Sequence, residues 1–324
     1  MKLSAFAARV AAGGVALLLG HLLAGCAALG TPPQTAVLQA SPPTDLPTRV
    51  ERASVPFFPQ TLHQCGPAAL ATALADVQLP GDPAQLADAV FLPAREGSLQ
   101  IEMLAGARRQ GAVATRLPGE LSAVLREVAA GHAVVVLQNL GLSFAPRWHY
   151  AVVVGYDLAR SEVLLRSGTT ERETLPLRTF EFTWARGGHW AMAVLPPREL
   201  PATAAEAQAL EAAIGFERVA PPAQAAIAYQ ALLARWPANL LAGIGLGNSR
   251  YAAGDAAGAT AAFQAAAERH DSAVAWNNLA RLRLQTNDRA GARAAAERAV
   301  QRAAAAEPAW LDQARETLSA TAEH

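Results

Sequence analysis

Lysine is almost missing from this chain of 324 residues: Lys2 is the only one. Beyond the first residues there can therefore be no P-loop lysine, no Schiff-base lysine and no Ser–Lys dyad. Cysteine is nearly as scarce, with Cys26 and Cys65 alone. Two cysteines make neither a disulfide scaffold nor a four-ligand zinc site, so each needs its own explanation. No excess of charge exists either. Lys+Arg and Asp+Glu stand at 27 each, and removing residues 1–25 takes Lys2 and Arg9 but no acid, leaving 25 − 27 = −2. A basic face that would track nucleic-acid phosphates is not to be expected. Neither an ATP-binding motif nor His-Glu-x-x-His occurs, and the chemistry calls for no metal or other cofactor.

What is present is apolar and abundant: 52% of residues are hydrophobic and 17% charged, enough core for about two domains. Residues 1–25 combine Lys2 and Arg9, the short run Val15-Ala16-Leu17-Leu18-Leu19 and small residues before Cys26, the layout of a secretory signal rather than a membrane span. Leu23-Ala24-Gly25-Cys26 resembles the lipobox of bacterial lipoproteins, which implies that Cys26 is acylated as the mature N-terminus. With Ala27 rather than aspartate after it, the expected address is the outer membrane, facing the periplasm. Residues 26–53, rich in Pro, Thr, Ala and Gln, predict a flexible tether. A globular domain over 54–197 follows, bounded by Pro196-Pro197 and Pro201, and an Ala-rich helical region over 203–324 completes the chain.

The helical region repeats with a period of 33: Gly254-Asp255 is followed by Ala259, Phe263 and Ala266, and Asn287-Asp288 by Ala292, Ala296 and Ala299. A weaker unit holds Ala225, Tyr229, Leu232 and Pro237, and residues from Pro308 predict a capping helix. These positions resemble tetratricopeptide repeats, with small residues where helices touch and a large apolar one between neighbours. No titratable cluster occurs there, so binding of a protein partner is the expected role.

In the first domain, Gln64-Cys65-Gly66-Pro67-Ala68-Ala69-Leu70 puts Cys65 at the start of a helix. There the unpaired N–H groups and the positive end of the helix dipole favour a thiolate and can hold an oxyanion. The base is to be chosen from His63, His132, His149, His189, His270 and His324. His149, opening the β-rich run Trp148-His149-Tyr150-Ala151-Val152-Val153-Val154-Gly155-Tyr156-Asp157, is the first choice, and His189, before Trp190, is the second.

Gln60…Gln64-Cys65-Gly66-Pro67 together with His149-Tyr150-Ala151-Val152-Val153-Val154-Gly155-Tyr156 resembles the bacterial papain-like cysteine peptidases that remove double-glycine leaders from bacteriocins, in a stand-alone lipoprotein form. The resemblance covers about residues 55–195. It implies an α+β papain-like cysteine peptidase domain, followed here by an all-α tetratricopeptide repeat domain. It also implies catalysis by Cys65 and His149, with Gln60 as side-chain oxyanion donor and Gln64 as its competitor.

That family orients its histidine with an aspartate on the next strand. A hairpin turning at Asp157–Ser161 sets Ser167 to Thr169 opposite His149, a segment without a carboxylate, and Ser167 stands about where the aspartate belongs. A second hairpin from Ala133–Gln138 to His149–Gly155 brings Gln138 or Asn139 beside His149, so Asn139 or Gln138 is an alternative neutral orienter. The expected function is a lipid-anchored periplasmic cysteine peptidase acting on a peptide or protein substrate, its repeats holding substrate or partner. The competing readings are a non-catalytic adaptor and another amide chemistry on the same fold.

Overall fold

The computed structural model describes residues 30–59 and 64–322. The first domain is built on one antiparallel sheet in the order β2-β7-β3-β4-β5-β6, with β1 added alongside β4. Its strands are β1 (Arg49–Glu51), β2 (Val113–Arg116), β3 (Val134–Asn139), β4 (Trp148–Asp157), β5 (Glu162–Ser167), β6 (Thr170–Pro176) and β7 (Ala191–Leu195). Both faces of the central strands are covered, which is why β3 and β4 read as continuous Val-rich runs rather than alternating ones.

On one face, α2 (Cys65–Asp76) and α4 (Gln100–Arg109) lay Ala69, Leu70, Leu74 and Met103 against Val135, Val152 and Val154. The run of small residues in α2 lets this helix sit close to the sheet, with α3 (Pro83–Val90) packed behind it. On the other face, α5 (Leu121–Ala129) and α6 (Leu177–Arg186) bury Leu121, Val124, Leu125, Phe180 and Trp184 against Val134, Val136, Ala151 and Val153.

The tether expected over 26–53 is corrected in its described part. Residues Pro33–Ala40 form α1, and Arg49–Glu51 enter the sheet as β1. The N-terminus of α1 is held by the buried carboxylate of Glu181 on α6, which accepts from Gln34 N at 2.9 Å and Thr35 N at 2.5 Å. A carboxylate there satisfies orphan N–H groups and meets the positive end of the helix dipole. Pro33 at the first helical position starts the helix, and a partner 146 residues away in sequence cannot be read from local composition. Pairing of β1 with β4 needs Gly155, because a Cβ there would lie 2.6 Å from Val50 O.

Among the described residues, seven α-helices make up the second region: α7 (Glu206–Glu217), α8 (Pro222–Arg235), α9 (Leu240–Ala252), α10 (Ala256–His270), α11 (Ala273–Gln285), α12 (Arg289–Ala306) and α13 (Leu311–Ala320). The 33-residue echo is visible in atomic detail. Asp255 Oδ1 caps α10 by accepting from Gly258 N at 2.8 Å, and Asp288 Oδ1 caps α12 by accepting from Gly291 N at 3.0 Å. Arg250 and Arg283 donate to the carbonyls of Gly258 and Gly291 in the same way. Helices touch where side chains are smallest, since a Cβ on Gly245 would lie 2.4 Å from the Tyr229 ring and one on Gly247 2.4 Å from that of Phe263.

The two regions are joined by a buried carboxylate. Glu127 of α5 accepts from Thr203 N at 2.7 Å, Thr203 Oγ1 at 2.6 Å and Ala202 N at 3.1 Å, and its other neighbour is His132 Nδ1 at 2.7 Å. Burial pushes this carboxyl upward, but the hydrogen bonds from His132, Thr203 and Ala202 outweigh it and hold Glu127 below the ordinary value. Beyond this clip, Ala212 and Phe216 of α7 pack on Val113 of β2. Among the described residues no helix is long and apolar enough to cross a membrane.

Candidate active site

Cys65 is the first residue of α2, with Gln64 at the N-cap and no side chain capping the helix. Its thiol lies against the backbone N–H groups of Tyr150, Gly66 and Cys65 itself. Helix placement follows the sequence expectation, but the electrostatic outcome differs. Burial pushes the Cys65 thiol above its ordinary 9.0, and the three N–H groups offset that only in part. The N–H groups favour the thiolate as expected, but desolvation of the half-buried sulfur exceeds their help.

His149 stands one residue before Tyr150, at the start of β4, and the same cavity of about 1010 Å³ is lined by Cys65 and His149. Around them the cavity is walled by Ser98, Leu137, Trp148, Tyr150 and the guanidinium residues Arg95, Arg147 and Arg186. Burial lowers His149 below 6.5; the charge of Glu173 raises it and that of Arg147 lowers it further. Both shifts favour the uncharged forms of the two groups.

Ser167 is the side chain that meets the ring. His149 Nε2 lies 2.9 Å from Ser167 Oγ, and Ser167 is only 8% exposed. The register responsible is that of the β4–β5 hairpin, Val152↔Arg166 and Val153↔Leu165 near the site, with a shift after Val153. Gln138 is the cross-strand partner of His149, but its amide donates to Thr183 Oγ1 at 2.6 Å. Asn139 is corrected as an orienter. It pairs with Trp148, and its carbonyl oxygen accepts from Gly141 N at 2.9 Å and Arg147 N at 2.8 Å, so the carboxamide is committed to the β3–β4 turn.

The alternative bases are placed elsewhere. His132 is bound to Glu127, and His189 packs edge-on against Trp184 with ring centroids 4.8 Å apart. Gln60, His63 and Cys26 lie outside the described residues. Glu173 was not singled out by sequence. It sits on β6 opposite Leu165, and only the strand pairing reveals that its charge reaches His149. Tyr150 was also overlooked as a participant; its hydroxyl donates to Ser98 O at 3.1 Å, and burial raises its pKa.

This geometry can then be compared with known proteins. The model of the Peptidase_C39 like family matches residues 52–192. A protein described as a C39-like peptidase from Bacillus anthracis aligns at 19% identity over 45% of this chain and 97% of that one, with a TM-score of 0.38. The type III secretion chaperone SycD of Yersinia enterocolitica, in complex with a peptide of the translocator YopD, aligns at 20% identity over 36% of this chain and 90% of that one, with a TM-score of 0.33. The Sgt2 TPR domain from Aspergillus fumigatus aligns at 19% identity over 36% and 76%, with a TM-score of 0.32. No curated protein matches.

Proposed function

We propose that the protein is a cysteine peptidase, anchored through acylated Cys26 and facing the periplasm, its residues 52–192 matching the model of the Peptidase_C39 like family and helical repeats following them. The observation that carries the reading is the contact of His149 Nε2 with Ser167 Oγ, His149 and Cys65 lining one cavity. If Nε2–H donates to Ser167, Nδ1 keeps the lone pair and is the basic atom.

With thiol and imidazole both neutral at rest, Nδ1 takes the Cys65 proton as Sγ attacks the scissile carbonyl carbon. The oxyanion is met by N–H groups at the start of α2, with Gln60 the side-chain donor that the family resemblance implies. The tetrahedral intermediate collapses to a thioester as Nδ1–H protonates the leaving amine. Water, deprotonated by the same nitrogen, then attacks the thioester carbon and expels the thiolate, which takes the proton back from Nδ1–H as the acid is released. A serine in place of a carboxylate fixes the ring but stabilises the imidazolium less, so turnover should be slow.

That same neutral orienter and the raised thiol favour one other reading, an adaptor whose papain-like domain no longer reacts and whose repeats bind a protein partner. Incubating the full chain with a mixture of periplasmic peptides, and mapping new termini by mass spectrometry, separates the two. Cleavage by the wild type that is lost in Cys65→Ala supports the peptidase. Identical peptide profiles from both, with the wild type folded, would overturn it.

A further inference from the structure

Beside the cavity, the β3–β4 turn carries a group of exposed apolar side chains. Phe144 is 86% exposed, Leu142 57%, Trp148 56% and Leu140 45%. Single exposed apolar residues are ordinary, whereas several on one projection mark a contact surface. From Leu137 to Trp148 the chain contains no acid, and its one charge is that of exposed Arg147.

The projection is rigid. Leu142 and Ala145 close a tight turn through paired backbone bonds of 3.2 and 3.1 Å, leaving Ser143 and Phe144 at the tip. Leu140 N donates to Arg147 O at 2.9 Å, and the buried Asn139 side chain ties the turn from inside through Gly141 N and Arg147 N. Gly141 makes the close crossing possible, since a Cβ there would lie 2.3 Å from Ala145 O. An apolar tip held out in this way is not the result of a loose loop.

The chain's own path indicates what covers it. Arg186, at the end of α6, donates to Asn139 O at the hairpin base at 2.9 Å, while Glu181 of the same helix holds the start of α1. These two points are about 8 Å apart along the helix axis. Six residues, hence seven Cα–Cα steps, lie between Cys26 and Pro33, a span of at most about 25 Å. An acyl group at Cys26 would therefore keep a bilayer within reach of this hairpin. Aromatic and aliphatic side chains beside an arginine are also the composition that settles at a lipid interface.

We propose that the Leu140–Trp148 hairpin inserts its tip into the bilayer surface and seats the mouth of the Cys65 cavity there, since Pro146, Arg147 and Trp148 line that cavity. Substrates would then be cut close to the membrane. The proposal goes beyond the peptidase reading and relies on Cys26 only for proximity.

The test uses the full chain reconstituted with phosphatidylcholine–phosphatidylglycerol vesicles whose acyl chains are brominated, reading tryptophan quenching. Trp148→Phe should remove at least half of the quenching, and Leu142→Glu with Phe144→Glu should reduce it at least fivefold without altering the far-ultraviolet spectrum. Equal quenching in wild type and Trp148→Phe would overturn the proposal. So would a charged double variant that leaves quenching intact but weakens cleavage or binding of a peptide in vesicle-free solution, because the hairpin would then be a peptide-docking surface. Palmitate incorporation at Cys26 and cleavage by Cys65 are read separately, so failure of the anchor or of the peptidase reading is distinguishable from failure of the hairpin.

Discussion

Replacing Ser167 by aspartate should shift the neutral Cys65 and His149 towards the thiolate–imidazolium form. Ser167 Oγ is 2.9 Å from His149 Nε2, so a carboxylate on the same backbone would sit within hydrogen-bond reach. A unit charge about 4 Å from the imidazolium is worth about 4 kcal/mol at an effective dielectric near 20. Desolvating the new carboxylate at a position only 8% exposed opposes this, and the remainder should be about 1–3 kcal/mol. At about 1.4 kcal/mol per pKa unit, His149 rises by roughly one to two units and thiolate formation becomes easier by the same free energy. The assay is the pH dependence of Cys65 alkylation by iodoacetamide. In the wild type, with the thiol raised and the imidazole lowered, the rate climbs through and beyond pH 9. In Ser167→Asp, a reactive plateau should extend down towards neutrality, with the rate at pH 7 up by about 10- to 100-fold. A folded Ser167→Asp protein with the wild-type profile would show that position 167 does not govern the histidine, and the mechanism proposed for this site would fall.

Two further predictions concern the frame. Glu127→Gln should lower stability by about 3–5 kcal/mol if the clip to Ala202 and Thr203 acts as a buried charged hub, measured by urea unfolding. Because the Glu127 carboxyl is held below 4.5, its contribution is fully present above that value and is lost as the pH falls through the lowered pKa; the variant's stability should therefore depend less on acid than the wild type's. Gly247→Ala should cost about 1–3 kcal/mol by pushing a methyl into the Phe263 ring, read as a lower thermal midpoint; an unchanged midpoint would mean that the helix pair can separate without loss.

How much of this was legible in the chain depends on the range of the interaction concerned. Cys65 at a helix start, β4 opening on His149, Gln138 across from it and the 33-residue repeat all follow from local pattern, turn residues and strand arithmetic. Ser167 emerged from hairpin register, which counts residues without needing any knowledge of packing. Others were hidden because their cause lies far along the chain. The helix Pro33–Ala40 depends on Glu181, the domain junction on Glu127, and the influence of Glu173 on His149 on the pairing of β6. The thiol's upward shift depends on burial, and no sequence pattern around Cys65 reports how much water the folded domain leaves beside its sulfur.

The packing of α7 on β2 has a consequence for how the protein can be made. Strand β2 ends the sheet, and an uncovered end strand presents unpaired N–H and C=O groups on which other chains can add. Val113 is shielded by Ala212, Phe216 and Ala228, all from the repeat region. The first domain is therefore left with a sticky border until the chain beyond residue 205 has folded against it. Cutting the protein between its two halves should expose Val113 and leave the first domain more prone to aggregate.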